Sequence, residues 1–271
     1  MMCNSASGSA AGFLLFTDVD GCLVNKNDYG FAPAVPVLRR LRTEGIPVVL
    51  ASSKTGCELQ HLAEQFELEP APLICENGGE ILWRESDGGN TRTVAGAERS
   101  KILRALNGLK PTFQFRSFAD LELHGVMAAT NLSEAEAIRA LDRHSTEPLI
   151  WDDAPDRIPV FAEYLQEFGL TLTRGGRFWH VAGNASKGSA MDIVIQHYRS
   201  RLTTPVTTIA VGDSPIDQDM LDRADIPIAI PDPEGRFHVQ VSSNGHRAGE
   251  AGSLGWAETM TRILDDVTGC D

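Results

Sequence analysis

A short apolar run ends in two aspartates and a glycine in the stretch Phe13-Leu14-Leu15-Phe16-Thr17-Asp18-Val19-Asp20-Gly21. Such a run is typical of a strand that is buried on both faces of a parallel sheet. The carboxyl ends of these strands open onto a crevice, so Asp18 and Asp20 can both face it while Gly21 permits the turn. Two carboxylates this close repel each other unless a cation or a proton lies between them. A turn in which Asp20 only caps the next segment fits this stretch equally well.

Strand and helix patterns alternate after this run. A helix is predicted over residues 33–44, and a buried strand over 46–51 leads into Ser52-Ser53-Lys54-Thr55 and a helix to about residue 66. Residues 73–75 are a third predicted strand, and Glu76-Asn77-Gly78-Gly79 is a turn that starts a hairpin with residues 80–83. The alternation predicts parallel pairing with right-handed crossovers.

The same alternation returns near the end of the chain. A helix is predicted over residues 187–199, and a buried strand over 206–211 ends at Gly212-Asp213-Ser214. Asp217 lies on the expected first turn of a helix that runs to about residue 223, so its carboxylate and that of Asp213 can point to one position. A last core strand is predicted over 226–230 and a final helix over 254–267.

The region between these parts has a different pattern. Predicted helices over residues 98–106, 133–144 and 157–168 alternate with short strand-like pieces, and Ser133 with Glu136 forms a capping box. We therefore predict an α/β protein with a Rossmann-like core of parallel strands flanked by helices, residues 13–83 and 177–271, and an inserted α/β cap, residues 84–176. Residues 1–12 are predicted to be a disordered tail.

Composition excludes several classes of function. The 271 residues are 42% hydrophobic and carry a formal net charge of −13, which argues against nonspecific binding to nucleic acid or to an anionic membrane. No apolar run approaches the ~20 residues of a membrane-spanning helix. The five cysteines are odd in number and contain no Cys-x-x-Cys pair, so we expect neither a disulfide framework nor a zinc motif, and we predict a reducing, cytoplasmic location. Cys57 and Cys75 are expected to be buried as small apolar side chains.

Four elements together resemble the motifs of the haloacid dehalogenase (HAD) superfamily of phosphohydrolases: Asp18-Val19-Asp20-Gly21, Ser52 at a strand end, Lys187 at a helix start, and Gly212-Asp213-Ser214 with Asp217. Ser52-Ser53-Lys54-Thr55, Glu76-Asn77-Gly78-Gly79-Glu80-Ile81 and Gly175-Gly176-Arg177-Phe178-Trp179-His180 further resemble the mannosyl-3-phosphoglycerate phosphatase family. Two positions depart from the family pattern. Cys22 stands where threonine is usual, and Ile216 stands where asparagine is usual. These two departures put a full catalytic rate in doubt more than they put the type of reaction in doubt.

The resemblance implies a mechanism and a metal. Asp18 would attack phosphorus to form an aspartyl-phosphate, Asp20 would act as general acid and base, and Lys187 would hold phosphoryl oxygens together with the Ser52 hydroxyl. Mg²⁺ would be held by Asp18, by the backbone carbonyl of Asp20 and by Asp213, with support from Asp217.

The same resemblance implies a small phosphorylated glycosyl-glycerate, mannosyl-3-phosphoglycerate or its glucosyl analogue, as the substrate. The residues expected to bind its phosphate, carboxylate and hydroxyls are Ser52, Ser53, Lys54, Asn77, Arg174, Gly175, Gly176 and Arg177. Residues 174–177 could instead form only a tight reversal with solvated arginines, and Asn77 could simply shape its own turn. Two other functions stay open: hydrolysis of another sugar phosphate, such as a hexose or sucrose phosphate, and a binding module that has lost turnover.

Overall fold

The computed structural model describes residues 12–85, 88–175, 177–202 and 204–268. The chain divides into two compact units, one within Met1–Val49 and Met191–Asp271 and the other within Leu50–Ala190. The predicted tail lies outside the described residues except for Gly12, which begins the first strand. The assignment of residues 84–176 as a cap over a catalytic core stays a prediction.

The strands, in chain order, are β1 (Gly12–Thr17), β2 (Val48–Leu50), β3 (Leu73–Cys75), β4 (Glu80–Arg84), β5 (Asn90–Val94), β6 (Phe115–Ser117), β7 (Thr146–Trp151), β8 (Thr171–Arg174), β9 (Trp179–Ala182), β10 (Val206–Gly212), β11 (Ile226–Ala229) and β12 (His246–Arg247). The helices are α1 (Val35–Thr43), α2 (Gly56–Gln65), α3 (Arg99–Leu109), α4 (Phe118–Thr130), α5 (Glu134–Leu141), α6 (Ile158–Glu167), α7 (Lys187–Arg201), α8 (Gln218–Leu221) and α9 (Gly252–Thr268). No helix in the described ranges combines the length and the apolar character needed to cross a bilayer.

A five-stranded sheet in the order β12-β11-β10-β1-β2 organises the first unit. Its central pairs are parallel, with Thr17 opposite Val211 and Val211 opposite Ile228. Leu14, Leu15 and Phe16 of β1 and the apolar side chains of β10 are buried, as expected for strands covered on both faces. The Trp256 indole of α9 donates a hydrogen bond to the Thr17 hydroxyl at 3.0 Å. The predicted α/β fold with a parallel sheet is confirmed.

The second unit contains two antiparallel sheets, β3-β4-β5 and β6-β7-β9-β8. The hairpin predicted after residues 76–79 is confirmed, because β3 pairs with β4. A core of aromatic and aliphatic side chains packs on the four-stranded sheet, and the ring of Phe113 meets the ring of Phe161 edge-on at 5.2 Å. Aromatic pairs of this geometry stabilise a core beyond the area they bury.

Helix α4 is not indicated by the sequence patterns. Its apolar residues do not repeat cleanly at helical spacing, and Glu122 interrupts the helical backbone with a φ of +53°. The helix predicted to run from Asp217 to about residue 223 is also shorter than expected, since a 3₁₀ turn (Pro215–Asp217) precedes the four residues of α8. The capping box of Ser133 and Glu136 is present at the start of α5 as predicted.

The two internal cysteines of this unit differ from each other. Cys75 is buried on β3 as predicted, but the prediction for Cys57 is wrong, because its side chain is exposed and its thiol donates to Asp142 Oδ2 at 2.9 Å. Cys57 lies on the outer side of α2, whose buried positions are Gly56, Leu59 and Ala63.

Candidate active site

Asp18 and Asp213 lie side by side at the carboxyl ends of β1 and β10. The Asp18 N–H continues the strand pairing by donating to the Val211 carbonyl at 2.9 Å, which fixes the two strand ends in register. Both aspartates are buried, and their carboxylate oxygens and the Cys22 sulfur lie within 4.8 Å of one another. Parallel pairing therefore brings together two carboxylates that are 195 positions apart in the sequence.

Gly21 is required by this arrangement for two reasons. Its φ of +94° lies in a region that L-residues with a side chain rarely adopt, and a Cβ at this position would lie 2.6 Å from Asp213 Oδ2. The glycine thus lets the chain turn after Asp20 and leaves space for the Asp213 carboxylate. Asp20 itself lies half-buried in the same turn, and its backbone pairs with that of Val24 as an isolated β-bridge.

Asp217 holds the loop that carries Asp213. Its Oδ2 accepts hydrogen bonds from the Ser214 hydroxyl at 2.7 Å, from the Ser214 N–H at 3.0 Å and from the Asp213 N–H at 3.3 Å. Asp217 is fully buried, so these bonds satisfy a carboxylate that would otherwise be costly to bury. Ile216, one residue earlier, is partly exposed on the 3₁₀ turn.

A cavity of about 210 Å³ opens beside Asp213. The Lys26 ammonium lies 3.8 Å from Asp213 Oδ2 and is 60% exposed, so it contributes a cation to the rim of a space whose lining includes three aspartates and two asparagines. Burial opposes ionisation of Asp232 in this cavity, but hydrogen bonds from Arg236 and His238 outweigh it and lower the pKa of that carboxyl. The remaining lining residues are Gly21, Asn25, Asn27, Asp28, Pro231, Pro233, Ala251 and Gly252.

The turn at residues 76–79, which contains Asn77, lies against residues 52–54 and against the start of α7 in the second unit. The Asn77 N–H donates to the Ser52 carbonyl at 2.9 Å, and the Glu76 N–H donates to the Lys54 carbonyl at 2.8 Å. A Cβ at Gly78, whose φ is +93°, would lie 2.8 Å from the Lys187 N and would overlap the Ser186 carbonyl. Ser52 and Lys187 are both buried around this turn. Their convergence with Asp18 and Asp213, which belong to the other unit, stays a prediction.

Lys187 is the first residue of α7, as predicted. Ser186 caps the helix, because its hydroxyl accepts a hydrogen bond from the Ser189 N–H at 3.1 Å while the Ser189 hydroxyl accepts one from the Ser186 N–H at 2.9 Å. The Ser52 hydroxyl in turn accepts a bond from the Lys54 N–H at 3.3 Å. The backbone next to each predicted phosphate-binding residue, Ser52 and Lys187, is therefore held by local hydrogen bonds.

Sequence reasoning misses a buried charge network around Glu76 and Glu80. Glu76 accepts bonds from the His144 N–H at 2.7 Å and the Thr146 hydroxyl at 2.5 Å, while Glu80 accepts one from the Arg92 guanidinium at 2.8 Å and lies 3.0 Å from His144 Nδ1. Burial raises the pKa of Glu80, and Arg92 and His144 oppose that shift. Local sequence gives no signal for this network, because its members come from three separate segments.

Arg174 ends β8, which pairs antiparallel with β9, and Arg177 lies shortly before β9. The choice between a substrate-binding segment and a tight reversal stays a prediction. The Gly175 N–H donates to the Phe178 carbonyl at 2.9 Å, and Gly176 lies outside the described residues. Arg174 stacks over the Trp179 ring at 5.1 Å, and the Arg177 guanidinium donates to the Thr130 carbonyl at 3.0 Å.

The donors at the strand ends suit a divalent cation. Mg²⁺ prefers hard carboxylate oxygens, usually one or two from the protein, and completes its shell with water and substrate phosphate. Asp18 and Asp213 supply such oxygens in a buried position, where two unneutralised carboxylates would repel each other strongly. The residues present therefore fit the ion, and Cys22 adds a sulfur next to them.

Comparison with known proteins finds a family match over part of the chain and similar folds over nearly all of it. Residues 15–115 match the haloacid dehalogenase-like hydrolase family. Similar folds are found in a protein from Thermoplasma acidophilum (TM-score 0.65, 16% identity, 95% of this chain and 99% of that one) and in a phosphatase of the HAD superfamily from Bacteroides thetaiotaomicron (TM-score 0.65, 16% identity, 100% of both chains). A sugar phosphatase of HAD subclass IIB also matches (TM-score 0.62, 16% identity, 92% of this chain and 98% of that one).

Proposed function

We propose that this protein is a phosphatase of the haloacid dehalogenase superfamily that acts on a phosphorylated sugar, and that mannosyl-3-phosphoglycerate or its glucosyl analogue is the substrate. The products would be mannosylglycerate, or its glucosyl counterpart, and phosphate. The observation that carries the proposal is the meeting of Asp18 and Asp213 at two adjacent strand ends, with Asp18 inside the segment that matches the family. The likeness to phosphatases of known structure supports the same reaction class.

The reaction proceeds in two steps on Asp18. Its carboxylate attacks phosphorus to form an aspartyl-phosphate, and the P–O bond to the sugar or glycerate breaks as Asp20 gives the leaving oxygen a proton. Asp20 then takes a proton from water, which attacks the aspartyl-phosphate and releases phosphate and free Asp18. Gly21 gives the turn that places Asp18 and Asp20 on one short segment.

Other residues bind charge around these two. Mg²⁺, when bound by Asp18, the Asp20 carbonyl and Asp213, supplies the positive charge that offsets the negative phosphate. Asp217 keeps the Asp213 loop in place through its bonds to residues 213 and 214. The Lys187 ammonium and the Ser52 hydroxyl hold the phosphoryl oxygens.

The remaining predicted residues would select the substrate. A glycerate carboxylate on a chain of net charge −13 requires fixed cations, which we assign to Lys54 and Arg174, with Arg177 as a third. Ser53, Asn77 and the N–H groups of Gly175 and Gly176 would bind hydroxyls or carboxylate oxygens. In this proposal residues 84–176 act as the cap that surrounds the leaving group.

The test is phosphate release by the purified protein with Mg²⁺ over mannosyl-3-phosphoglycerate, its glucosyl analogue, hexose phosphates and sucrose phosphate. We expect Asp18→Asn to abolish release and Asp222→Asn, at an exposed position on the same unit, to leave it unchanged. Undiminished release by the Asp18 variant would refute the nucleophile. A higher kcat/KM for an ester that lacks the carboxylate would favour the other sugar phosphates, and ligand binding without release would favour a binding module.

A further inference from the structure

Cys22 brings a thiol into the donor set at the strand ends. Its sulfur lies within 4.8 Å of carboxylate oxygens of both Asp18 and Asp213, and 3.9 Å separates it from Asp213 Oδ1. The Cys22 side chain is fully buried, and Asp18 and Asp213 are buried beside it, with Asp213 at the edge of the cavity that Lys26 borders. They form a mixed set of two oxygens and one sulfur rather than a carboxylate cluster alone.

The spacing of these atoms suits a tetrahedral ion. A zinc ion binds sulfur at about 2.3 Å and carboxylate oxygen at about 2.0–2.2 Å, which places a sulfur and an oxygen on the same ion about 3.6 Å apart. The observed 3.9 Å between Cys22 Sγ and Asp213 Oδ1 lies close to that value. The sulfur and this oxygen therefore lie near the separation that one tetrahedral ion requires, and the Asp18 oxygen lies within 4.8 Å of both.

Ligand softness then distinguishes between ions. Mg²⁺ takes oxygen ligands and gains nothing from a sulfur neighbour, whereas thiolate ligands favour Zn²⁺ and its softer relative Cd²⁺. A threonine at this position would offer only a hydroxyl. The presence of cysteine at position 22 therefore changes which ions the buried donors prefer.

We propose that Asp18, Cys22 and Asp213 form a binding site for a thiophilic divalent cation of the Zn²⁺ and Cd²⁺ class, and that this cation competes with Mg²⁺. The sulfur–metal bond forms as the thiol proton leaves to the buffer. The competition rests on the proposed function, because it requires Mg²⁺ to use the same two carboxylates. Occupation by the softer ion replaces the catalytic ion and inhibits phosphate release.

The experiment follows Cd²⁺ binding through the ultraviolet charge-transfer band that a sulfur–cadmium bond produces. It uses the full chain with Cys3, Cys57 and Cys270 changed to serine, so that Cys22 and Cys75 are the cysteines that remain. We expect this protein to bind one Cd²⁺ per chain with a charge-transfer band. In Cys22→Thr the band should be lost, and the dissociation constant for Zn²⁺, measured by calorimetry, should rise at least about tenfold. Asp213→Asn should weaken binding as well, and excess Mg²⁺ should displace the ion.

Two results would overturn the proposal. One is a charge-transfer band that persists in Cys22→Thr, and the other is the absence of any band in a protein that still releases phosphate with Mg²⁺. Circular dichroism and urea unfolding of Cys22→Thr establish that the variant is folded before its binding is compared. If phosphate release fails in every variant while the Cys22-dependent band is present, the proposed phosphatase function falls and the cation site stands.

Discussion

Gly78→Ala is expected to destabilise the second unit more than Gly88→Ala, a substitution at another described loop glycine of similar backbone conformation. An added Cβ would lie 2.8 Å from the Lys187 N and closer still to the Ser186 carbonyl, and neither backbone group can rotate away as a side chain could. The start of α7 must therefore move away from the turn at residues 76–79.

The size of the effect follows from two contributions. A left-handed backbone costs an L-residue with a side chain about 1–2 kcal/mol. Overpacking of a tight contact adds about 1–3 kcal/mol, so the total loss of unfolding free energy is about 2–5 kcal/mol. Gly88 is a matched control in the same unit, because its φ of +86° is similar and a Cβ there would meet nothing within 4 Å. Gly88→Ala should lose only the backbone contribution, about 1–2 kcal/mol.

Equilibrium urea unfolding of both variants, followed by circular dichroism, measures the difference. We expect Gly78→Ala to lose about 1–3 kcal/mol more than Gly88→Ala, and to lower kcat/KM under conditions where both are folded, since Lys187 follows the displaced carbonyl. Equal losses of stability in the two variants would refute the packing of Gly78 against Ser186. A stability difference without a change in kcat/KM would refute the role of Lys187.

Three further substitutions test the site and the two units. Gly21→Ala should weaken Mg²⁺ binding about 10–100-fold in calorimetry, because the added Cβ displaces the Asp213 carboxylate. Gly235→Ala is the control and should leave the affinity unchanged, because Gly235 has a φ of +80° and open space around it. Equal affinities of the two variants would contradict the role of Gly21. Burial, with help from a nearby guanidinium, lowers the pKa of His180 to about 4, so the unfolded chain takes up the proton first and stability should fall by at most about 3 kcal/mol as the pH drops from about 6.5 to about 4. Urea unfolding at several pH values should show this slope in the natural chain and a flatter one in His180→Gln, and the same slope in both would exclude His180 as its source. Thr55→Ala removes the hydroxyl that accepts a hydrogen bond from the third N–H of α2, so the free energy of unfolding in urea should fall by about 1–2 kcal/mol. Thr55→Ser should retain most of the stability. An equal loss in both variants would argue against the cap.

The sequence alone was sufficient for the buried strands of the parallel sheet and for their parallel pairing. The runs of adjacent apolar residues that end at Asp18 and at Asp213 indicate buried strands. Such a pattern is local, so it can be recognised without coordinates. The α/β fold with a parallel sheet was confirmed, and residues 15–115 match the haloacid dehalogenase-like hydrolase family. The preference for mannosyl-3-phosphoglycerate, the need for Mg²⁺ and the cytoplasmic location stay predictions.

Helix α4 and the network of Glu76, Glu80 and His144 escaped the sequence reasoning for different reasons. The apolar residues of α4 lack a clean helical period, and the positive φ of Glu122 breaks its regularity. The charge network joins segments about 70 positions apart, and no local pattern records which distant partner neutralises a buried carboxylate. The Glu76 and Glu80 carboxylates can be buried only because the folded chain supplies hydrogen-bond donors next to them.

Sequence therefore determined which residue types stand at the strand ends, since that information lies in a few adjacent positions. Only the tertiary structure decided that the Cys22 sulfur lies beside Asp18 and Asp213 and that Gly21 leaves space for the Asp213 carboxylate. The same holds for the hydrogen bonds by which Asp217 fixes residues 213 and 214. Distances between side chains depend on how whole strands align and on how backbones approach one another, and those quantities are properties of packing rather than of any single stretch of chain.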